Sequence, residues 1–164
     1  MKNFLLIFFT AFNCLIFLCP LSSQSIVGSW SLLPESGAVG VGSSKNNMNW
    51  WSIGDDWVTQ RPEFFDDKYI FYNDGSFKII QDGATLLWFT DTGDNQSGQP
   101  IYPHDGSNDA TFIVNTQNNL PVSVTLYGQG AYLGVARATN NGEIASTGPT
   151  PYSRTYEILE ITDD

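Results

Sequence analysis

Lys68-Tyr69-Ile70-Phe71-Tyr72, Asn73-Asp74-Gly75 and Ser76-Phe77-Lys78-Ile79-Ile80 form the stretch that settles the fold class. Two runs rich in aromatic and β-branched residues flank an Asp-Gly pair. Asp-Gly between such runs is a strong hairpin signal, because the turn needs positive φ and glycine adopts it without steric cost. The stretch predicts antiparallel strands over Lys68 to Tyr72 and Ser76 to Ile80. Asp82-Gly83 repeats the signal and predicts a second such turn before a strand from Ala84 to Thr90.

Outward from this hairpin the pattern persists. Short apolar runs are separated by Gly, Asn, Asp and Pro, and no long stretch shows the 3.6-residue period of an amphipathic helix. Upstream, Ile26 to Leu33 reads as the first strand, with Trp30 and Leu32 on one face. Pro34 to Gly42 is a glycine-rich loop, and Asn49 to Ile53 a further strand. Downstream, Asp91 to Gly106 is a long polar connection with Pro100 and Pro103. Strands are predicted at Thr111 to Val114, Val122 to Tyr127, Ala131 to Val135 and Thr155 to Ile161. Asn118 to Pro121 and Gly128 to Gly130 are the intervening turns, and Thr147 to Pro151 a stiff loop. Roughly eight or nine short strands suit an all-β, single antiparallel domain, either barrel-like or a two-sheet sandwich.

The N-terminus reads as an address. Met1-Lys2-Asn3 is a short basic start, Phe4 to Leu18 is almost wholly apolar, and Pro20-Leu21-Ser22-Ser23 is a small polar exit. That is the order of a secretory signal peptide, too short to span a bilayer. Residues 1–23 are therefore expected to be removed, which leaves a β-domain over 24–164 outside the cell or on its surface. Cys19 as a lipid-acylation site is disfavoured by bulky Ile16-Phe17-Leu18 before it and Pro20 after it. Both cysteines, Cys14 and Cys19, fall in the leader, so the mature chain has neither disulfide nor thiolate metal site. At the other end, Thr162-Asp163-Asp164 looks like the start of a turn, which predicts that the domain is truncated and continues beyond Asp164.

The formal charge is −10, and loss of Lys2 with the leader makes it −11. Such a chain repels phosphate backbones and anionic headgroups, so neither nucleic acid nor membrane insertion after processing is expected. Nothing reads as a self-sufficient enzyme. His104 is the only histidine, no Gly-x-Ser-x-Gly elbow presents a serine, and zinc lacks ligands. The glutamates Glu35, Glu63, Glu143, Glu157 and Glu160 are scattered and form no tight glycosidase motif. No cofactor is implied. Structural calcium stays open at Asp66-Asp67, Asp91 to Asn95 and Asp105 to Asp109, although turn formation explains the same residues.

The aromatics carry the functional expectation. Adjacent residues of a strand point to opposite faces, so only one of Trp50 and Trp51 can enter the core. Trp57 follows Asp55-Asp56 in a polar segment. An indole with carboxylates beside it offers a sugar ring a stacking face and hydrogen-bond acceptors. The predicted ligand-binding residues are Trp50, Trp51, Trp57 and Trp88, with Asp55, Asp56, His104 and Asp105 as polar partners. The competing reading makes these indoles a second small core beneath a long loop.

Two resemblances follow. Ile26-Val27-Gly28-Ser29-Trp30-Ser31-Leu32, followed by Tyr69 to Phe77, resembles the opening of bacterial lipocalin-like domains, with their Gly-x-Trp strand and aromatic Asp-Gly hairpin. A longer set is similar to a β-domain of secreted bacterial proteins that recurs beside laminarinase-type glycoside hydrolase modules. It comprises Gly28-Ser29-Trp30, Pro34 to Gly42, Trp50-Trp51-Ser52, Phe65 to Phe71, Pro103 to Asn108 and Gly128 to Gly134. This second resemblance implies company with polysaccharide degradation, a neighbouring or fused catalytic module, and no catalytic residue here. The leading expectation is thus a non-catalytic, carbohydrate-binding accessory to a glucan-degrading system. The rivals are a lipocalin-like carrier of a small apolar ligand and a structural or adhesive surface domain. An enclosed apolar cavity would favour the carrier, and an outward row of indoles would favour glycan binding.

Overall fold

A computed structural model of the chain describes residues 25–44, 47–88, 95–136, 138–139, 142–143 and 150–162, and the structural statements below concern those residues. The expected leader with Cys14 and Cys19 lies outside them, as do residues 89–94, 147–149 and 163–164.

In chain order the elements are β1 (Gly28–Trp30), β2 (Gly40–Val41), β3 (Trp51–Ser52), α1 (Asp55–Gln60), a 3-10 turn (Pro62–Phe64), β4 (Lys68–Phe71) and β5 (Ser76–Ile80). Then follow β6 (Thr85–Trp88), β7 (Asn95–Gly98), β8 (Ala110–Gln117), β9 (Leu120–Tyr127), β10 (Ala138–Thr139), β11 (Gly142–Glu143) and β12 (Ser153–Glu157). The fold is all-β. Six strands form one antiparallel sheet in the order β1-β4-β5-β8-β9-β12. The pairs β2-β3, β6-β7 and β10-β11 stand beside it.

The hairpin that decided the class is present. The Gly75 amide donates to the Tyr72 carbonyl (3.0 Å) and the Tyr72 amide to the Ser76 carbonyl (2.9 Å), with Gly75 at φ +84°. This is a type I turn closed by a left-handed glycine, one of the common short hairpin loops. Asp74 Oδ1 fixes it further, accepting from the Ser76 amide at 2.9 Å and the Ser76 hydroxyl at 2.6 Å. Strand β8 turns into β9 through Asn118 and Asn119, both left-handed at φ 52° and 64°. Leu120 and Pro121, expected in that turn, belong to β9.

Several boundaries differ from expectation, for physical reasons. Gly83 does turn the chain at φ +96°, but it joins no hairpin, since β6 pairs with β7. The cause is inward burial: Thr85 donates to Asp67 Oδ2 (2.5 Å) and Leu86 enters a separate apolar cluster, which draws β6 away from β5. Strand β7 lies inside the polar connection, and its Asn-Gln-Ser-Gly sequence has no apolar alternation to announce it. Ala131 to Val135 is a loop whose Ala131 and Tyr132 are nonetheless core. Gly130 (φ +78°) starts that loop so close to Pro103 that a Cβ would lie 1.7 Å from the Pro103 carbonyl oxygen. The first strand shrinks to Gly28–Trp30 and the third to Trp51–Ser52. The last begins earlier, at Ser153, and ends at Glu157. The helix α1 was not foreseen, because six residues are too few to display a period.

Alternation along the strands builds the main core. Tyr69 and Phe71 of β4, Phe77 and Ile79 of β5, and Val124 and Leu126 of β9 point to one face, with Tyr132 and Ala131 laid over them. Phe71 meets Phe112 edge to face at 5.0 Å. A second cluster holds Ile53, Phe64, Phe65 and Leu86, capped by Trp51, Trp57 and Val58. Leu32 touches both, joining the two.

Candidate functional site

The sheet's end strands, β1 and β12, face one another across a cavity. Trp30 of β1, Tyr69 and Phe71 of β4, Val124 of β9 and Tyr156 of β12 all line it. Residues from opposite ends of a six-strand order can share one cavity only if the sheet curls strongly, as in a barrel left open between its edges. The cavity measures about 300 Å³, and its lining is almost wholly apolar. That volume is at the lower end for small-molecule sites.

Each wall is fixed by a specific bond. The Trp30 indole N–H donates to the Ile26 carbonyl at 2.7 Å, holding the ring at the rim, where it is 38% exposed. The Tyr69 hydroxyl donates to the Gly134 carbonyl at 3.1 Å, and the Leu133 amide donates to the Tyr156 hydroxyl oxygen at 3.1 Å. These two phenols tie the Leu133-Gly134 loop to the sheet as the inner wall. Beyond β12, Ile158 donates its amide to the Val122 carbonyl at 3.0 Å, and the chain then folds Ile161 inward as the far wall. Glu157 and Glu160 stand among the lining residues as the acidic side chains. Burial raises the pKa of Tyr69 and Tyr156 above the usual phenol value, so both remain neutral donors or acceptors.

A buried polar group lies behind this wall. Arg154 precedes Tyr156 on the inward face of β12 and is 3% exposed. Its Nη1 donates to the Ala131 carbonyl, while Nε and Nη2 are buried without a hydrogen-bond partner. His104 is buried next to the Tyr132 ring, with centroids 5.7 Å apart, and its Nδ1 faces the Gly130 carbonyl at 3.3 Å. A carbonyl only accepts, so Nδ1 carries the proton and Nε2 is a bare lone pair. Burial, followed by the charge of Arg154, lowers the His104 pKa against the opposing Gly130 bond. Asp67, 1% exposed, is pushed up to about 7 by burial, with the Thr85 hydroxyl opposing.

The residues expected from sequence are dispersed. Trp51 and Trp57 do meet, edge to face at 5.4 Å, but both are half-buried caps on the second cluster. The Arg61 guanidinium lies 5.8 Å from the Trp57 ring centre. Trp50 is 69% exposed. Asp55 and Asp56 are exposed in the first turn of α1, where carboxylates favour the helix dipole. Asp105 accepts from the Ser107 amide (3.1 Å) and hydroxyl (2.6 Å), a turn contact that lowers its pKa. His104 belongs with Tyr132 of the main core rather than with the indoles. Trp88 closes β6, and its side chain lies outside the described residues. Among the described residues no group of three or more His, Cys, Asp or Glu side chains converges as metal ligands; the loop Asp91 to Asp94 is not among them.

The cavity residues were missed because they are ordinary apolar residues scattered over five segments. One signal was available. Arg154 is among only 7 Lys and Arg residues, and it alternates with Tyr156 on a strand. No helix among the described residues is long and apolar enough to cross a membrane. The chain matches no protein family, no curated protein and no solved structure.

Proposed function

We propose that this chain is a non-catalytic extracellular binding module that holds a small apolar ligand between β1 and β12. The observation that carries the reading is the apolar cavity of about 300 Å³ shared by the two end strands. Its walls are braced by Tyr69 and Tyr156, so the site is preformed and binding need not order a loop. Export rests on the signal-peptide pattern of the leader. The similarity to lipocalin-like openings agrees with a carrier, but the cavity supplies the argument, because fold alone does not assign function.

The test is the neutral fluorophore phenylnaphthylamine, which brightens in apolar surroundings. Saturable enhancement is expected with a Kd in the roughly micromolar range, together with a negative heat-capacity change on binding. Absence of saturable enhancement would remove the carrier reading.

A second reading, contact with a polysaccharide, is favoured by one observation: the indole of Trp50 is 69% exposed. Here the module would accompany a glucan-degrading enzyme. Affinity electrophoresis in soluble β-glucan is its test, with retardation expected for the wild type and lost in Trp50→Ala. Unretarded wild type would end it.

A further inference from the structure

We propose that the cavity's ligand carries an anionic head, a single carboxylate on an apolar chain, and that Arg154 is its counter-ion. The inference rests on the apolar-ligand reading above and names its ligand class.

Arg154 and Tyr156 alternate on β12, and alternate residues of a strand share a face. In register, Tyr156 pairs with Val124 and Arg154 with Leu126. Tyr156 and Val124 line the cavity, so Arg154 stands one strand repeat behind its wall. Burial lowers the pKa of Arg154, with the neighbouring Tyr156 and Tyr132 opposing, and His104 is close enough to feel its charge. The Tyr156 oxygen accepts the Leu133 amide, which leaves the phenolic proton to donate.

The free nitrogens of Arg154 are specific. With Nη1 engaged by Ala131, Nε and Nη2 remain. Those two N–H groups lie side by side on one edge of the guanidinium, the fork that matches two carboxylate oxygens. A buried guanidinium with this edge unpaired is costly, and an incoming oxyanion relieves the cost. One arginine balances one negative charge. A phosphate monoester, carrying nearly two, would leave charge buried and unpaired. Arg154 is not itself among the lining residues, so a head that reaches it from the cavity passes the Tyr156 phenol and gains its hydrogen bond as well. Glu157 and Glu160 in the lining, and the net charge of −10, repel an anion at long range. Added salt screens that repulsion and should speed association, while the short contact to Arg154 is screened far less.

The experiment compares decanoate with decanol as displacers of phenylnaphthylamine from the full chain, at about pH 8 where the acid is ionised. Decyl phosphate is a third arm. Decanoate is expected to bind roughly tenfold or more tighter than decanol, as a charge-assisted fork warrants, and tighter than decyl phosphate. In Arg154→Met the decanoate-to-decanol ratio should fall close to one. Replacing a buried, unpaired charge by an apolar side chain of similar length is compatible with folding, and melting temperature checks this. The wild-type comparison needs no variant. Equal affinity for decanoate and decanol, or preference for decyl phosphate, would overturn the carboxylate head while leaving the apolar site standing. A preference for decanoate that survives Arg154→Met would overturn the role of Arg154. No displacement by any of the three, with no fluorophore bound, would overturn both readings.

Discussion

The Leu133 amide donates to the Tyr156 hydroxyl across 3.1 Å, and together with the Arg154 bond to the Ala131 carbonyl it fastens the Ala131 to Val135 loop to the last strand of the sheet. It helps set the inner wall of the cavity, which Leu133 and Tyr156 both line.

Tyr156→Phe keeps the ring and removes the acceptor, leaving a partly buried amide unpaired. A loss of about 1–2 kcal/mol in urea unfolding is expected, with faster amide exchange at Leu133. Unchanged stability and exchange would show that the bond does not hold the loop.

Gly75→Ala isolates the turn that decided the fold class. No atom lies within 4 Å of the position a Cβ would take, so sterics with neighbours are absent and only the left-handed backbone at φ +84° opposes alanine. A destabilisation of about 1 kcal/mol follows. A neutral result would contradict the turn geometry.

How far the sequence was legible depended on whether a feature was local. The β4-β5 hairpin was readable because Asp74-Gly75 and the flanking alternation lie within thirteen consecutive residues. The partner of β6 was not, since Asp82-Gly83 signals a turn but says nothing of where Thr85 finds Asp67. Of the Trp50-Trp51 pair one ring is outward and one lies against the second cluster, although Trp50 precedes β3 and is not part of the strand expected to hold both. Trp57 followed Trp51 inward, because α1 turns its indole towards that ring. The cavity was invisible for a different reason. It exists only through the curl that brings Trp30 and Tyr156, far apart in sequence, to one space.

Trp57 and Trp50 should separate packing from exposure. Trp57→Ala removes a half-buried ring from the second cluster and should cost about 2 kcal/mol or more, whereas Trp50→Ala should stay within about 0.5 kcal/mol. Denaturant midpoints measure both. Equal effects would mean that Trp57 is no part of that cluster.

Asp67 makes stability depend on pH. Its folded-state pKa of about 7 exceeds the ordinary 3.8, so the folded chain retains a proton that the unfolded chain has released. Stability should therefore decline as pH rises from about 4 to about 7 and level off above, a change on the order of a few kcal/mol. Asp67→Asn should flatten that decline and raise the melting temperature at pH 8 relative to wild type. A decline of equal size in the variant would assign the effect to other groups.

The most direct measurement of the central claim is an NMR titration of the full chain with decanol, following backbone amides and indole N–H signals. Binding between β1 and β12 requires shifts gathered at the Trp30 indole, Leu133, Gly134, Tyr156 and Ile158, saturating together at one Kd. Shifts confined to Trp50 and α1, or no saturable shift up to the solubility of the alcohol, would contradict it.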